Sequence, residues 1–309
     1  MSRGLHCFTL FVTGATFVLI VAGALVTSHD AGLAAPDWPL SFGQVFPRMV
    51  GNLFWEHGHR LIATTVGLLI IALNLYLYKS EPRRWVRRLG FAALILVIAQ
   101  GLLGGLTVKL LLPLWVSTAH ATLAQIFFCT MVSLSVFTSP GWSRRRAQVE
   151  ETGKFSLRHL CGIAGVMILA QLVLGATLRH SATWDEHLPT SLVLAHVMGA
   201  LVVTAILVTI FLVLFRRHAD QAYLRRPANV AMLLLGLQLC LGVAAYITRL
   251  WSPDDPQPLN PMVAITVAHV ACGALVFATT IVLTLRTFQI LRAADPAAEF
   301  ALKAQGAMG

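Results

Sequence analysis

His59, His120, His196 and His269 are the residues here whose type and spacing could do chemistry. His120 follows Pro113 by seven residues, His196 follows Pro189 by seven, and His269 follows Pro261 by eight. Proline is favoured at a helix start, so at 1.5 Å per residue these imidazoles are expected roughly 10 Å inside their helices. His59 is expected to approach from the same side. The preceding residue is small each time: Gly58, Ala119, Ala195 and Ala268; Gly199 and Gly273 follow the last two closely. Bare neighbours let a flat macrocycle approach a helix face. Two imidazoles from different helices can ligate one haem iron axially, with the porphyrin edge buried between helices. One such histidine alone would be read as an interhelical hydrogen bond. Zinc would call for convergence of more ligands or a thiolate, and a proton relay would enlist carboxylates deeper in the bilayer.

Glu56 is the only carboxylate standing in sequence against these histidines. It precedes His59 by three, so on a helix both project from one face. It can be a favourable acid at a helix N-terminus or a base beside a haem edge. Arg60 can pair bidentately with a haem propionate, or cap a helix or meet lipid headgroups.

These residues need elements to carry them, and composition says which. The chain has 309 residues, 57% apolar and 12% charged, with a net charge of +10 and mean hydropathy +0.75. Soluble domains carry about a quarter charged residues, so a water-soluble enzyme and a nucleic-acid binder are both excluded. Spanning helices need about 20 apolar residues. Eight stretches qualify, at 8–27, 61–78, 89–108, 114–138, 160–178, 192–215, 230–248 and 262–285. They lack two-residue alternation, which excludes a β-barrel.

Of the 23 Lys and Arg, only Arg48, Arg60, Lys109, Arg179 and Arg249 fall in or beside the connections of one side. The positive-inside rule then puts both termini in the cytoplasm. Cys7, Cys129, Cys161, Cys240 and Cys272 all lie in or beside apolar spans, as small core residues do, and form no disulfide framework.

The chain also repeats. Gln100 and Gly104 in span three, Gln171 and Gly175 in span five, and Gln238 and Gly242 in span seven share a Gln-x-x-x-Gly. The expected fold is an all-α integral membrane protein of eight transmembrane helices, built as two pseudo-symmetric four-helix bundles. Residues 1–140 form the first bundle, 141–156 a cytoplasmic linker and 157–309 the second.

Gly32-Leu33-Ala34-Ala35-Pro36-Asp37-Trp38-Pro39-Leu40, Trp55-Glu56-His57-Gly58-His59-Arg60-Leu61 and Thr118-Ala119-His120-Ala121-Thr122 resemble the CtaA-type haem A synthase family. The stretch Leu174 to His180, Ala195-His196 and Ala268-His269 fit too. The resemblance implies conversion of haem O to haem A by oxidising a ring methyl to formyl, through successive hydroxylations and loss of water, for cytochrome oxidase assembly. It further implies that His196 and His269 ligate a resident haem b, that His59 and His120 hold the substrate haem with Arg60 beside it, and that Glu56 is catalytic. Implied partners are the lipid bilayer, haem O, a haem O synthase and an electron donor the sequence does not identify. With Arg3 close to an apolar run that starts at Phe8, no mitochondrial presequence is read, so a bacterial plasma membrane is expected.

Two departures stand out. Many bacterial relatives carry a cysteine pair flanking Pro-Asp-Trp-Pro, where this chain has Ala35 and Ser41. The second half has Thr183-Trp184-Asp185-Glu186-His187 in place of that loop. The histidines by themselves serve equally a dihaem b-type electron-transfer protein or a non-catalytic haem carrier or assembly factor.

Overall fold

A computed structural model describes residues 2–144, 146–151, 156–181, 189–251 and 259–293. Among these, eight helices follow in chain order: α1 (Arg3–Ser28), α2 (Asn52–Ser80), α3 (Arg84–Lys109), α4 (Leu114–Thr138), α5 (Leu157–Ser181), α6 (Thr190–Arg217), α7 (Ala222–Trp251) and α8 (Asn260–Ile290). All eight are long and apolar enough to cross a bilayer, and the protein is an all-α integral membrane protein. Each expected span lies inside one helix. Most helices outrun their apolar stretch at one or both ends, because a helical backbone satisfies its own polar groups into the interface. The largest extension is in α2, which begins at Asn52 and so carries Glu56, His57 and His59 as helical residues.

Neighbours in sequence are neighbours in space. Helix α1 packs on α2 and α4, α2 on α3, and α3 on α4; α5 packs on α6 and α8, α6 on α7, and α7 on α8. Contacts of α4 with α5 and α8, and of α1 with α8, join the two sets. The buried apolar residues divide likewise. Val12, Leu73 and Met131 belong to one cluster, and Ile168, Leu207 and Leu283 to another. Ile20, Phe128, Ala274 and Ala278 form a smaller cluster across the seam. Outward faces carry exposed Leu68, Leu75, Leu102, Val166 and Leu233, as lipid-facing surfaces do.

Two local features follow from single residues. Pro227 in α7 has no N–H to give the carbonyl of Tyr223, and Arg286 Nη1 of α8 donates to that oxygen at 2.9 Å instead. Between α4 and α5, β1 (Val149–Glu151) runs parallel to β2 (Leu291–Ala293), with Val149 opposite Leu291 and Glu151 opposite Ala293. The segment expected as a plain linker is therefore stitched to the end of α8. Glu151 also accepts from the Leu157 N–H at 2.6 Å and the Ser156 hydroxyl at 2.6 Å, closing the start of α5. Cys129, Cys161 and Cys272 are buried as expected, whereas Cys7 and Cys240 are exposed; none is bonded to another. Arg145, Lys154, residues 183–187 and Lys303 lie outside the described residues.

Candidate functional site

The four histidines sit on the four even-numbered helices, all of which start from one face. Pro113 and Pro189 precede the first residues of α4 and α6, and Pro261 is the second residue of α8. The imidazoles stand about 9 to 14 Å along their helices from the first residue. Each ring rests against a glycine on the preceding odd-numbered helix. A Cβ built on Gly23 would meet His59 Cε1 at 3.1 Å; on Gly104, His120 at 3.2 Å; on Gly175, His196 at 2.9 Å; and on Gly242, His269 at 3.1 Å. The repeat read from Gln-x-x-x-Gly thus seats imidazoles. Gly23, which the repeat did not flag because α1 has no such glutamine, does the same.

The glutamines of that motif reach the histidines as well. Gln100 Nε2 donates to the His120 carbonyl at 3.0 Å and lies 3.3 Å from its Nε2. Gln171 Nε2 donates to the His196 carbonyl at 2.8 Å and lies 3.1 Å from its Nδ1. Gln238 Nε2 is 3.2 Å from His269 Nε2.

The histidines meet in twos. His196 and His269 face each other across α6 and α8, with ring centroids 6.4 Å apart and planes at 68°. A metal–imidazole nitrogen bond is about 2 Å. The ring centre lies about 1 Å behind its nitrogen, so two rings on opposite sides of one metal stand about 6 Å apart. The pair fits one iron between them. His59 and His120 interact electrostatically across α2 and α4, and Nδ1 of each is buried without a partner. Such orphaned nitrogens fit a pair that awaits a metal. Among the described residues no three His, Cys, Asp or Glu side chains gather as a metal site.

Between α4 and α5 an open-sided cavity of about 710 Å³ is lined by Leu103, Trp115, Ala119 and Leu123, with Val173 and Thr177 of α5. Its lining is almost wholly apolar, and its size is within the range of small-molecule sites. The end of α5 is tied to the end of α1: Arg179 Nη2 donates to Ser28 Oγ at 2.8 Å.

Glu56 and Arg60, on successive turns of α2, organise the first outer loop. Glu56 is buried and forms an ion pair with Arg60 through Oε1, while its Oε2 accepts from the Ala35 N–H at 2.9 Å. Arg60 Nη1 donates to the carbonyls of Asp37 (2.8 Å) and Leu40 and to Ser41 Oγ. Arg60 was expected beside a propionate, and these contacts direct its Nη1 to the loop and its Nη2 to Glu56. His57, which had no repeat counterpart to draw attention to it, is buried between Ser41 Oγ (2.8 Å from Nδ1) and the Val45 carbonyl (3.0 Å from Nε2). Asp37 closes the turn by accepting from the N–H groups of Phe42 and Gly43 at 2.7 and 2.8 Å. The bonds from Gly43 and then Phe42 hold its carboxyl below the ordinary carboxylate range. Ala35 and Ser41, both fully buried, thus take part in a polar clasp, the first through its N–H and the second through its hydroxyl.

The family model described as cytochrome oxidase assembly protein, COX15-CtaA, matches residues 49–184, which span Glu56, His59, Arg60 and His120. A protein named heme A synthase from Bacillus licheniformis is 24% identical over 268 residues, covering 81% of this chain and 88% of its own length. The heme A synthase of Geobacillus kaustophilus is 24% identical over 326 residues, covering 96% and 97%. That of Exiguobacterium sibiricum is 30% identical over 185 residues, covering 58% and 61%.

Proposed function

We propose that this chain is a member of the CtaA-type haem A synthase family and, on that premise, a membrane oxidoreductase converting haem O to haem A for cytochrome oxidase assembly. Helices α1–α4 are read as the substrate bundle and α5–α8 as the bundle of a resident haem b, joined by 141–156. His196 and His269 hold the resident group, which when bound supplies one-electron transfer. His59 and His120 hold the substrate haem, and the apolar cavity beside α4 receives the edge of that substrate that bears no charge. Both termini face the cytoplasm of a bacterial plasma membrane. A haem O synthase and a separate electron donor are the partners this activity calls for.

Turning a methyl group into a formyl group brings one oxygen atom to the carbon and takes four electrons from it to an oxidant, and the protons released need an acceptor nearby. Glu56 is the only carboxylate on any of the four histidine-bearing helices. Arg60 and the Ala35 N–H fix both its oxygens, so it meets the substrate in one orientation. Arg60 balances its charge while it is ionised. The clasped loop lies over this carboxylate and keeps bulk water from it. The observation that carries the reading is this asymmetry: among the described residues there are two imidazole pairs, with a buried carboxylate on a helix of only one.

The test uses membranes holding the chain together with a source of haem O, from which pigments are extracted and separated by chromatography. Haem A or its hydroxymethyl precursor is expected. Glu56→Gln should lower haem A by about a hundredfold or more, as loss of an acid–base group does, while the haem b absorbance stays at its normal level. Unchanged haem O with a b-type spectrum in the unaltered protein would overturn the reading and favour an electron carrier.

A further inference from the structure

Three of the four histidine-bearing helix pairs present the imidazole with two residues one turn apart on the neighbouring helix, a glutamine and then a glycine. Gln100 and Gly104 face His120, Gln171 and Gly175 face His196, and Gln238 and Gly242 face His269. On α1 the glycine is kept as Gly23, against His59, but Leu19 occupies the glutamine position. Room is made for two of the amides. A Cβ on Gly199 would overlap Gln171 Oε1, and one on Gly273 would come within 3.2 Å of Gln238 Nε2. These two glycines were read from sequence as clearance for a macrocycle; the space they leave is occupied by glutamine. The amide oxygens of Gln100, Gln171 and Gln238 are all buried and without a partner.

Buried polar atoms are rarely left unpaired without a reason, and three repeat-related cases share one. A histidine that gives one ring nitrogen to a metal carries its proton on the other, and an acceptor on that N–H fixes the ring and raises its basicity as a ligand. We propose that Gln100, Gln171 and Gln238 are positioning residues that supply this acceptor, and that His59, facing Leu19, is the one ligand left without it. A half-turn of the amide exchanges nitrogen and oxygen with no change of shape and brings Oε1 to the ring nitrogen that Nε2 now faces. At Gln100 and Gln171 the amide also swings off the histidine carbonyl, 3.0 and 2.8 Å from Nε2, since two oxygens cannot share that contact. That leaves Nδ1 of His120 and His269 and Nε2 of His196 for iron. The histidine carbonyl that loses Nε2 keeps its bond within the helix.

The consequence is a graded hold. Both ligands of the resident pair are fixed, whereas the substrate pair has one fixed ligand, His120, and one that can let go, His59. A cofactor that stays suits the first arrangement, and a haem that must enter and leave suits the second. The assignment of the pairs rests on the function proposed above.

The test reads the midpoint potential and low-spin electron paramagnetic resonance of the haem in purified protein. These readouts do not require haem A to be made. Gln171→Leu and Gln238→Leu remove the acceptor and should raise the potential; Gln171→Glu and Gln238→Glu strengthen it and should lower the potential. Shifts of opposite sign are not produced by repacking alone. The gain-of-contact variant Leu19→Gln should slow loss of haem O from the substrate site to apomyoglobin by about tenfold. If a leucine variant yields no folded protein, the glutamate variants and Leu19→Gln decide the matter. No shift, or shifts of one sign in all variants, overturns the proposal, as does an unchanged transfer rate for Leu19→Gln. Failure of the function proposed above shows separately, as absence of haem A from the unaltered protein with these shifts intact.

Discussion

Arg60 connects more of this site than any other side chain, binding Glu56, two loop carbonyls and Ser41 from one position on α2. Both partners of its ion pair are shielded, with side chains 12% and 5% exposed. Removing one partner of such a pair leaves a buried charge uncompensated, which costs about 3–5 kcal/mol. Arg60→Ala is therefore expected to destabilise the protein by roughly that amount and to open the first outer loop to protease, checked by thermal unfolding in detergent and by limited digestion. Lysine keeps the charge but not the planar fork, so Arg60→Lys should recover only part. A midpoint within 1 °C of the unaltered protein for Arg60→Ala would show that the clasp contributes nothing. The sequence disclosed Glu56 and Arg60 by their spacing from His59. It did not disclose the clasp, because its other members are backbone groups of a loop whose path depends on tertiary contacts.

At the level of helices, close approach is set by residues that lack a side chain. Gly175 and Gly242 stand where a Cβ would press on His196 and His269. Overpacking costs about 1–3 kcal/mol, which weakens binding by roughly ten- to a hundredfold. Gly175→Val should lower haem b affinity by that factor in a hemin titration, with the helices intact by circular dichroism. Gly23→Val should spare haem b and weaken the substrate site alone. Equal loss in both variants would contradict the assignment of the pairs. The helices themselves were plain in the sequence, since apolar length is a strong signal. Their ends were not: polar Asn52, Glu56 and His57 hide the first two turns of α2, although its backbone continues unbroken. The strands β1 and β2 carried no signal either, being three residues each and paired across most of the second half.

The whole molecule has a direction, and charge should set it. The α2–α3 turn and the helix ends that flank it carry Lys79, Arg83, Arg84, Arg87 and Arg88, while the α3–α4 connection and its flanking ends have only Lys109. Glu81 is held below the usual carboxylate range by Arg83, which grips both its oxygens and the carbonyl of Phe137. Alkaline phosphatase fused after Ser80 should be inactive and after Lys109 active, at least tenfold apart. The reverse pattern would invert the molecule and move the four histidines to the cytoplasmic half of the bilayer.

The pairing of β1 with β2 has a consequence for biosynthesis. Residues 149–151 leave the ribosome when half the chain is still to come, yet their hydrogen-bonding mates are 291–293. No tether between middle and tail can close until translation has passed the last helix. Lateral docking of the earlier helices must then rely on their own packing and on bonds such as Gln100 to His120 and Arg179 to Ser28, and the small parallel ribbon acts as a latch thrown after every span is already in the membrane.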